Sequence, residues 1–299
     1  MSHFLSPVFE PGFFGSAQVH VALEVGTLVA LVAAAVGSLA VLRGQAFAGE
    51  ALSDVGAAGG SGAFLIGVGP LWGFLALGAA AACAMELIGV QRPRGRDLAT
   101  GIVLGAGLGL AALFFALDAE YHNTTGAPVT VLFGSLFTVS ASITPAIVAL
   151  SVAGLALVLV LYRPLLLSSA SAELAAARGL PVRLIGALYL FALVLAVALA
   201  SLTIGTILST ALLVGPAASA MRLTARPLRA LLTAGLVGVL AIWLGVLLAY
   251  DSFHWPPVGH GWPVSFFVVA LVMVFYLASG VPQALGARRR GRASADQEV

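Results

Sequence analysis

The chain of 299 residues has no lysine, one cysteine, and charged side chains at only 9% of its positions. An ordinary soluble domain carries about 25% charged residues. So little polar material cannot cover a globule, which argues against both a soluble enzyme and a disordered chain. The lone Cys83 lies inside an apolar run, which excludes a disulfide framework and a cysteine-rich metal cage. Without lysine there is no phosphate-binding loop of the GxxxxGK[ST] type, whose lysine reaches the phosphates. If ATP drives this protein, another polypeptide hydrolyses it. HExxH and GxSxG are missing as well, so no catalytic constellation stands out. The net charge of +2 comes from scattered arginines, which speaks against a nucleic-acid partner.

What the chain has is apolar length. Apolar residues make up 61% of it, enough at about 20 residues per crossing for roughly nine membrane helices. Runs bounded by charge or by Gly/Pro punctuation fall at 18–42, 47–67, 70–90, 98–118, 144–162, 183–203, 205–221, 228–250 and 263–281. The expected fold is therefore all-α, a polytopic membrane protein of about nine transmembrane helices. Its basic residues run from Arg43 through Arg92, Arg163 and Arg222 to Arg292, and every one lies on the same side of this nine-span arrangement. Basic loops stay in the cytoplasm, so the N-terminus is expected outside and the C-terminus inside. A miscounted span would have sent the later arginines to the opposite side.

Residues 1–17 contain no Lys or Arg and so lack the basic n-region of a cleavable signal. They are expected to form an extracytoplasmic segment, with a transmembrane domain at 18–281 and a basic, disordered cytoplasmic tail at 282–299. The apolar stretch 130–139, in the long outer connection, is too short to span and reads as a partial or re-entrant helix. Asp97 reads as a helix N-cap. Pro216, in the seventh span, is expected to interrupt the backbone ladder, with Thr206, Ser209, Thr210 and Ser219 as substitute donors or interhelical glue.

Two groups of residues suggest ion chemistry. Glu50 and Asp54 are four apart and share one helix face, roughly 6 Å between Cβ atoms. A carboxylate in a spanning helix costs at least about 2.5 kcal/mol, so it should face a partner or an aqueous path. The glycines around it, such as Gly59 and Gly60, allow close helix approach. Two carboxylates without a neighbouring histidine favour a hard cation such as manganese, and zinc if a histidine joins from elsewhere. On the outer side, His122, Asp251, His254 and His260 form a second, looser set of candidate metal ligands. On the cytoplasmic side, Ser171 reads as an N-cap, Glu173 suits a helix start, and Arg178, Gly179 and Pro181 suit its end, giving a two-turn helix near 171–180.

Three stretches resemble the integral-membrane permease of bacterial ABC importers for zinc and manganese: LRGQAFAGEALSDVGAAGGSGAFLIG at 42–67, SAELAAARGLPVRLIGALYL at 171–190 and IGTILSTALLVGPAASAMRLTARP at 204–227. The resemblance extends from about residue 18 to 281. It implies import of a divalent metal, Mn2+ or Zn2+, by alternating access in the bacterial plasma membrane. An extracytoplasmic metal-binding protein would deliver the ion, and a separate pair of ATP-binding cassette subunits would use the ATP. The permease would act as a homodimer or with a paired permease, and would bind no cofactor of its own. The metal path of the family falls on Glu50 and Asp54, where Asp54 stands in place of the usual histidine. The family's ATPase-docking helix falls on Glu173, Leu174, Arg178 and Gly179. Three other readings remain open from the sequence: an ABC permease for an iron-siderophore or cobalamin-type ligand, an ion-coupled secondary carrier using Asp54, and an intramembrane enzyme using the two carboxylates as an acid/base pair.

Overall fold

The computed structural model describes residues 13–88, 93–122, 131–134, 136–140, 142–255 and 261–295. Among them there is no strand. The helices, in chain order, are α1 (Ala17–Leu42), α2 (Ala46–Leu65), α3 (Pro70–Ile88), α4 (Pro93–His122), α5 (Thr144–Ala170), α6 (Ala172–Ala177), α7 (Val182–Ile204), α8 (Thr206–Leu223), α9 (Pro227–Asp251) and α10 (Val264–Ala295). Seven of these, α1, α3, α4, α5, α7, α8 and α9, are long and apolar enough to cross a membrane. The other two expected spans are also helices. The carboxylates, serines and glycines of α2 lower its hydropathy, and the apolar stretch of α10, Val264–Gly280, is shorter than the rest.

Helix ends follow local chemistry. Pro93 opens α4, where a missing N–H costs nothing, so Asp97 lies inside the first turns and is not the cap the sequence suggested. The helix α5 runs past Arg163 and Pro164 to Ala170, longer than its apolar run. Between α7 and α8 the only connecting residue is Gly205, at φ +89°. An added Cβ there would also meet the Leu132 carbonyl oxygen at 2.2 Å. Only glycine satisfies both the backbone angle and the contact.

The bundle is organised around α1 and α7. In each, 72% of the most apolar window is buried, against 28% in α4 and α5, so the first pair forms the interior and the second pair the periphery. A helix that is apolar all round has to be enclosed by others, and α1 is packed on by α5, α8 and α9 while α7 is packed on by α3, α5 and α8. On one flank α2 is held by α3 and α4; on the other it touches α7 and α8. At the α2–α3 crossing the backbones nearly meet, since a methyl on Gly59 would come within 2.2 Å of the Gly73 carbonyl oxygen. The re-entrant expectation has a structural counterpart: residues 131–133 are helical, Leu136–Thr138 form a 3-10 turn, and Val131 and Leu136 are buried, with the turn packed on α1 and α7.

Candidate metal site

Glu50 and Asp54 lie one turn apart on α2, both half-buried. The Thr210 hydroxyl of α8 donates a hydrogen bond to Glu50 Oε2. Glu50 lines an open groove of about 650 Å³ between α2, α8 and α10, with Phe47, Thr210, Val214, Val272 and Met273. Glu50 therefore faces accessible space while remaining anchored by a donor, so its buried polar atoms are not left without a partner.

The same segment of α2 is pinned on its inner side. Ser53 is fully buried, with its hydroxyl 2.9 Å from the Thr206 carbonyl oxygen, 2.8 Å from Ser209 Oγ and 3.4 Å from Ser201 Oγ. These partners flank the Gly205 break, so the carboxylate-bearing stretch of α2 is tied to the junction of α7 and α8. The sequence pointed to Thr206, Ser209 and Thr210 only as donors local to α8 or as glue. That they reach Glu50 and Ser53 was not readable, because the partners are 160 and 153 positions away.

The other candidates are placed differently. Asp251 is the last residue of α9 and is 1% exposed, inside the packing and not in an outer loop. Asp118, near the end of α4, is fully buried and accepts a hydrogen bond from Ser61 of α2. The side chains of His122 and His254, and all of His260, lie outside the described residues. Among the described residues no group of three or more His, Cys, Asp and Glu side chains is close enough to hold a metal. What the fold brings together is the Glu50/Asp54 pair with its Thr210 donor.

The short α6 follows α5 directly, just after Ser168 and Ser169, which contact Arg43 at the root of α2. The Ser171 hydroxyl accepts from the Leu174 N–H at 3.1 Å, Glu173 sits in the first turn, Arg178 caps the end, and Gly179 turns the chain at φ +76°. Ala175 is buried, whereas Glu173, Leu174, Arg178 and Gly179 are exposed. The helix thus projects an apolar side chain between two charged ones.

The profile of the family described as ABC 3 transport family matches residues 17–279. A manganese transport system membrane protein MntC of Listeria innocua is 28% identical over 251 residues, covering 83% of this chain and 85% of that protein. A manganese import system permease protein ScaB of Streptococcus pneumoniae is 32% identical over 232 residues, covering 77% and 81%. Among solved structures, PsaBC from Streptococcus pneumoniae in complex with Fab superposes with a TM-score of 0.76 at 26% identity, covering 90% of this chain and 93% of that one.

Proposed function

Because this chain belongs to the ABC 3 transport family, we propose that it is the membrane-embedded permease subunit of a metal-ion importer, carrying manganese past Glu50 and Asp54. The observation that carries this reading is the carboxylate pair itself: two half-buried carboxylates one turn apart on α2, with Glu50 lining an open groove and held by Thr210. Hard carboxylate oxygens suit manganese better than zinc, and Asp54 in place of a histidine moves the site further in that direction. The manganese transport and import named in the relatives supports the same ion.

One chain supplies too few ligands for such an ion among its described residues. Manganese prefers octahedral oxygen coordination. The remaining ligands come from water and from the equivalent carboxylates of a second permease, which makes a homodimer or paired permease part of the function. An extracytoplasmic binding protein delivers the ion at the outer mouth, where His122, His254 and His260 supply imidazole and Asp251 braces the end of α9. Separate ATPase subunits dock on α6 through Leu174, rimmed by Glu173 and Arg178 with the turn at Gly179. Their closure on ATP reorients the helices by alternating access, in a bacterial plasma membrane with the N-terminus outside and the tail beyond 282 in the cytoplasm.

The test is Asp54→Asn, which keeps the size and removes the charge. Uptake of radiolabelled manganese should be abolished while the permease still co-purifies with its ATPase subunits. Wild-type uptake in the assembled mutant would overturn the metal-path assignment.

A further inference from the structure

Arg43 closes α1 and stands at the three-residue turn into α2, the helix that carries the two carboxylates. The turn is closed by backbone hydrogen bonds: Arg43 N–H bonds to Leu39 O at 2.9 Å, Gln45 N–H to Ala40 O at 2.8 Å, and Gly44 sits at φ +64°. From this base the guanidinium reaches three elements. Its Nε donates to Gln45 Oε1 at 3.0 Å, its Nη1 lies 3.1 Å from Ser168 Oγ and 3.5 Å from Ser169 Oγ, and its Cζ stands 5.0 Å above the centre of the Tyr189 ring. Both serine hydroxyls already donate to the Leu165 carbonyl, at 3.1 and 2.6 Å, so what they offer the arginine is acceptor lone pairs. Tyr189 is fully buried and its hydroxyl has no hydrogen-bond partner among the described residues, so its ring face is what it offers.

These partners belong to the two helices that flank α6. Ser168 and Ser169 lie in the last turn of α5, just before it, and Tyr189 lies in α7, just after it. Pro164 sits upstream in α5, where its missing N–H removes one bond from the helical ladder. One side chain therefore grips both arms of the projecting helix and the root of the carboxylate-bearing one.

We propose that Arg43 is a coupling residue, transmitting displacement of α6 to α2 so that ATPase closure moves Glu50 and Asp54. The proposal rests on the reading of α6 as the ATPase-docking element. Nothing in it requires Arg43 to touch the metal: it is a positioning residue that acts through the α1–α2 turn.

The experiment uses the assembled transporter, with its ATPase subunits and binding protein, reconstituted in proteoliposomes, and reads manganese accumulated per ATP hydrolysed. In R43A and in S168A/S169A this ratio should fall by about fivefold or more, the size of a typical intersite coupling, while ATP hydrolysis continues and the complex keeps its thermal midpoint. Lysine retains the charge but loses the planar fork, so R43K should be intermediate. Tyr189→Phe should be unaffected and Tyr189→Leu impaired, because the contact uses the ring face. A wild-type ratio in both R43A and S168A/S169A overturns the proposal, as does a parallel fall of uptake, hydrolysis and assembly in all the variants, which would mark a purely structural tie. Leu174→Asp separates the two layers of the argument. If it leaves the ATPases bound and the ratio intact, the docking reading fails; if it uncouples while the Arg43 and serine variants do not, the clamp alone fails.

Discussion

The hydrogen bond from Thr210 to Glu50 joins a neutral donor to a carboxylate, a class worth about 1.5–3 kcal/mol. Thr210→Val removes the donor at nearly constant volume. The manganese concentration for half-maximal uptake should rise about tenfold, equivalent to about 1.4 kcal/mol, and Thr210→Ser should restore it. Concentration-dependent uptake in proteoliposomes measures both. Position 54 sets the ligand type: Asp54→His exchanges a hard oxygen for a borderline nitrogen. Competition between zinc and manganese should then shift towards zinc, and an unchanged preference would remove Asp54 from the selectivity argument. At this scale the pair Glu50/Asp54 was readable, because four-residue spacing fixes a shared helix face. Its anchor was not, since Thr210 approaches through a helix crossing that no local pattern encodes.

Glycine permits close approach at two points in this fold, the α2–α3 crossing and the α7–α8 junction. Gly59→Leu would drive a side chain into the α3 backbone, and Gly205→Ala would add both a collision and an unfavourable φ at the α7–α8 junction. Each should destabilise by at least about 2 kcal/mol, seen as a lowered thermal midpoint in detergent. Gly101→Ala is the control: it lies inside α4 with nothing within 4 Å of its added Cβ, so it should not destabilise and should add up to about 1 kcal/mol of helix stability. The short α6 shows the other way an element is specified. Six residues are too few for hydrophobic periodicity, but Ser171, Glu173 and Gly179 announced its start and stop, and the Ser171 cap is present at 3.1 Å. Where the sequence misplaced an end, as at Asp97, a proline at the first helical position had outcompeted a plausible cap.

For the molecule as a whole, the arginine partition predicts a cytoplasmic C-terminus: a fluorescent protein fused after Val299 should fold and fluoresce, whereas a periplasm-dependent phosphatase at the same place should be inactive. The reverse result would invert the topology. Composition, run length and arginine spacing determined the membrane class, the all-helical fold and a nine-helix reading, because in a bilayer each segment must satisfy its own backbone and these properties are local. The tertiary structure decided which polar groups meet. It sank Asp118 and Asp251 into the packing, set Thr210 on Glu50 and Ser53 on the α7–α8 junction, and gathered Ser168, Ser169 and Tyr189 around Arg43. Those contacts join positions up to 160 residues apart. They exist only once the helices cross, which is why hydropathy located the helices and only packing located the contacts between their polar groups.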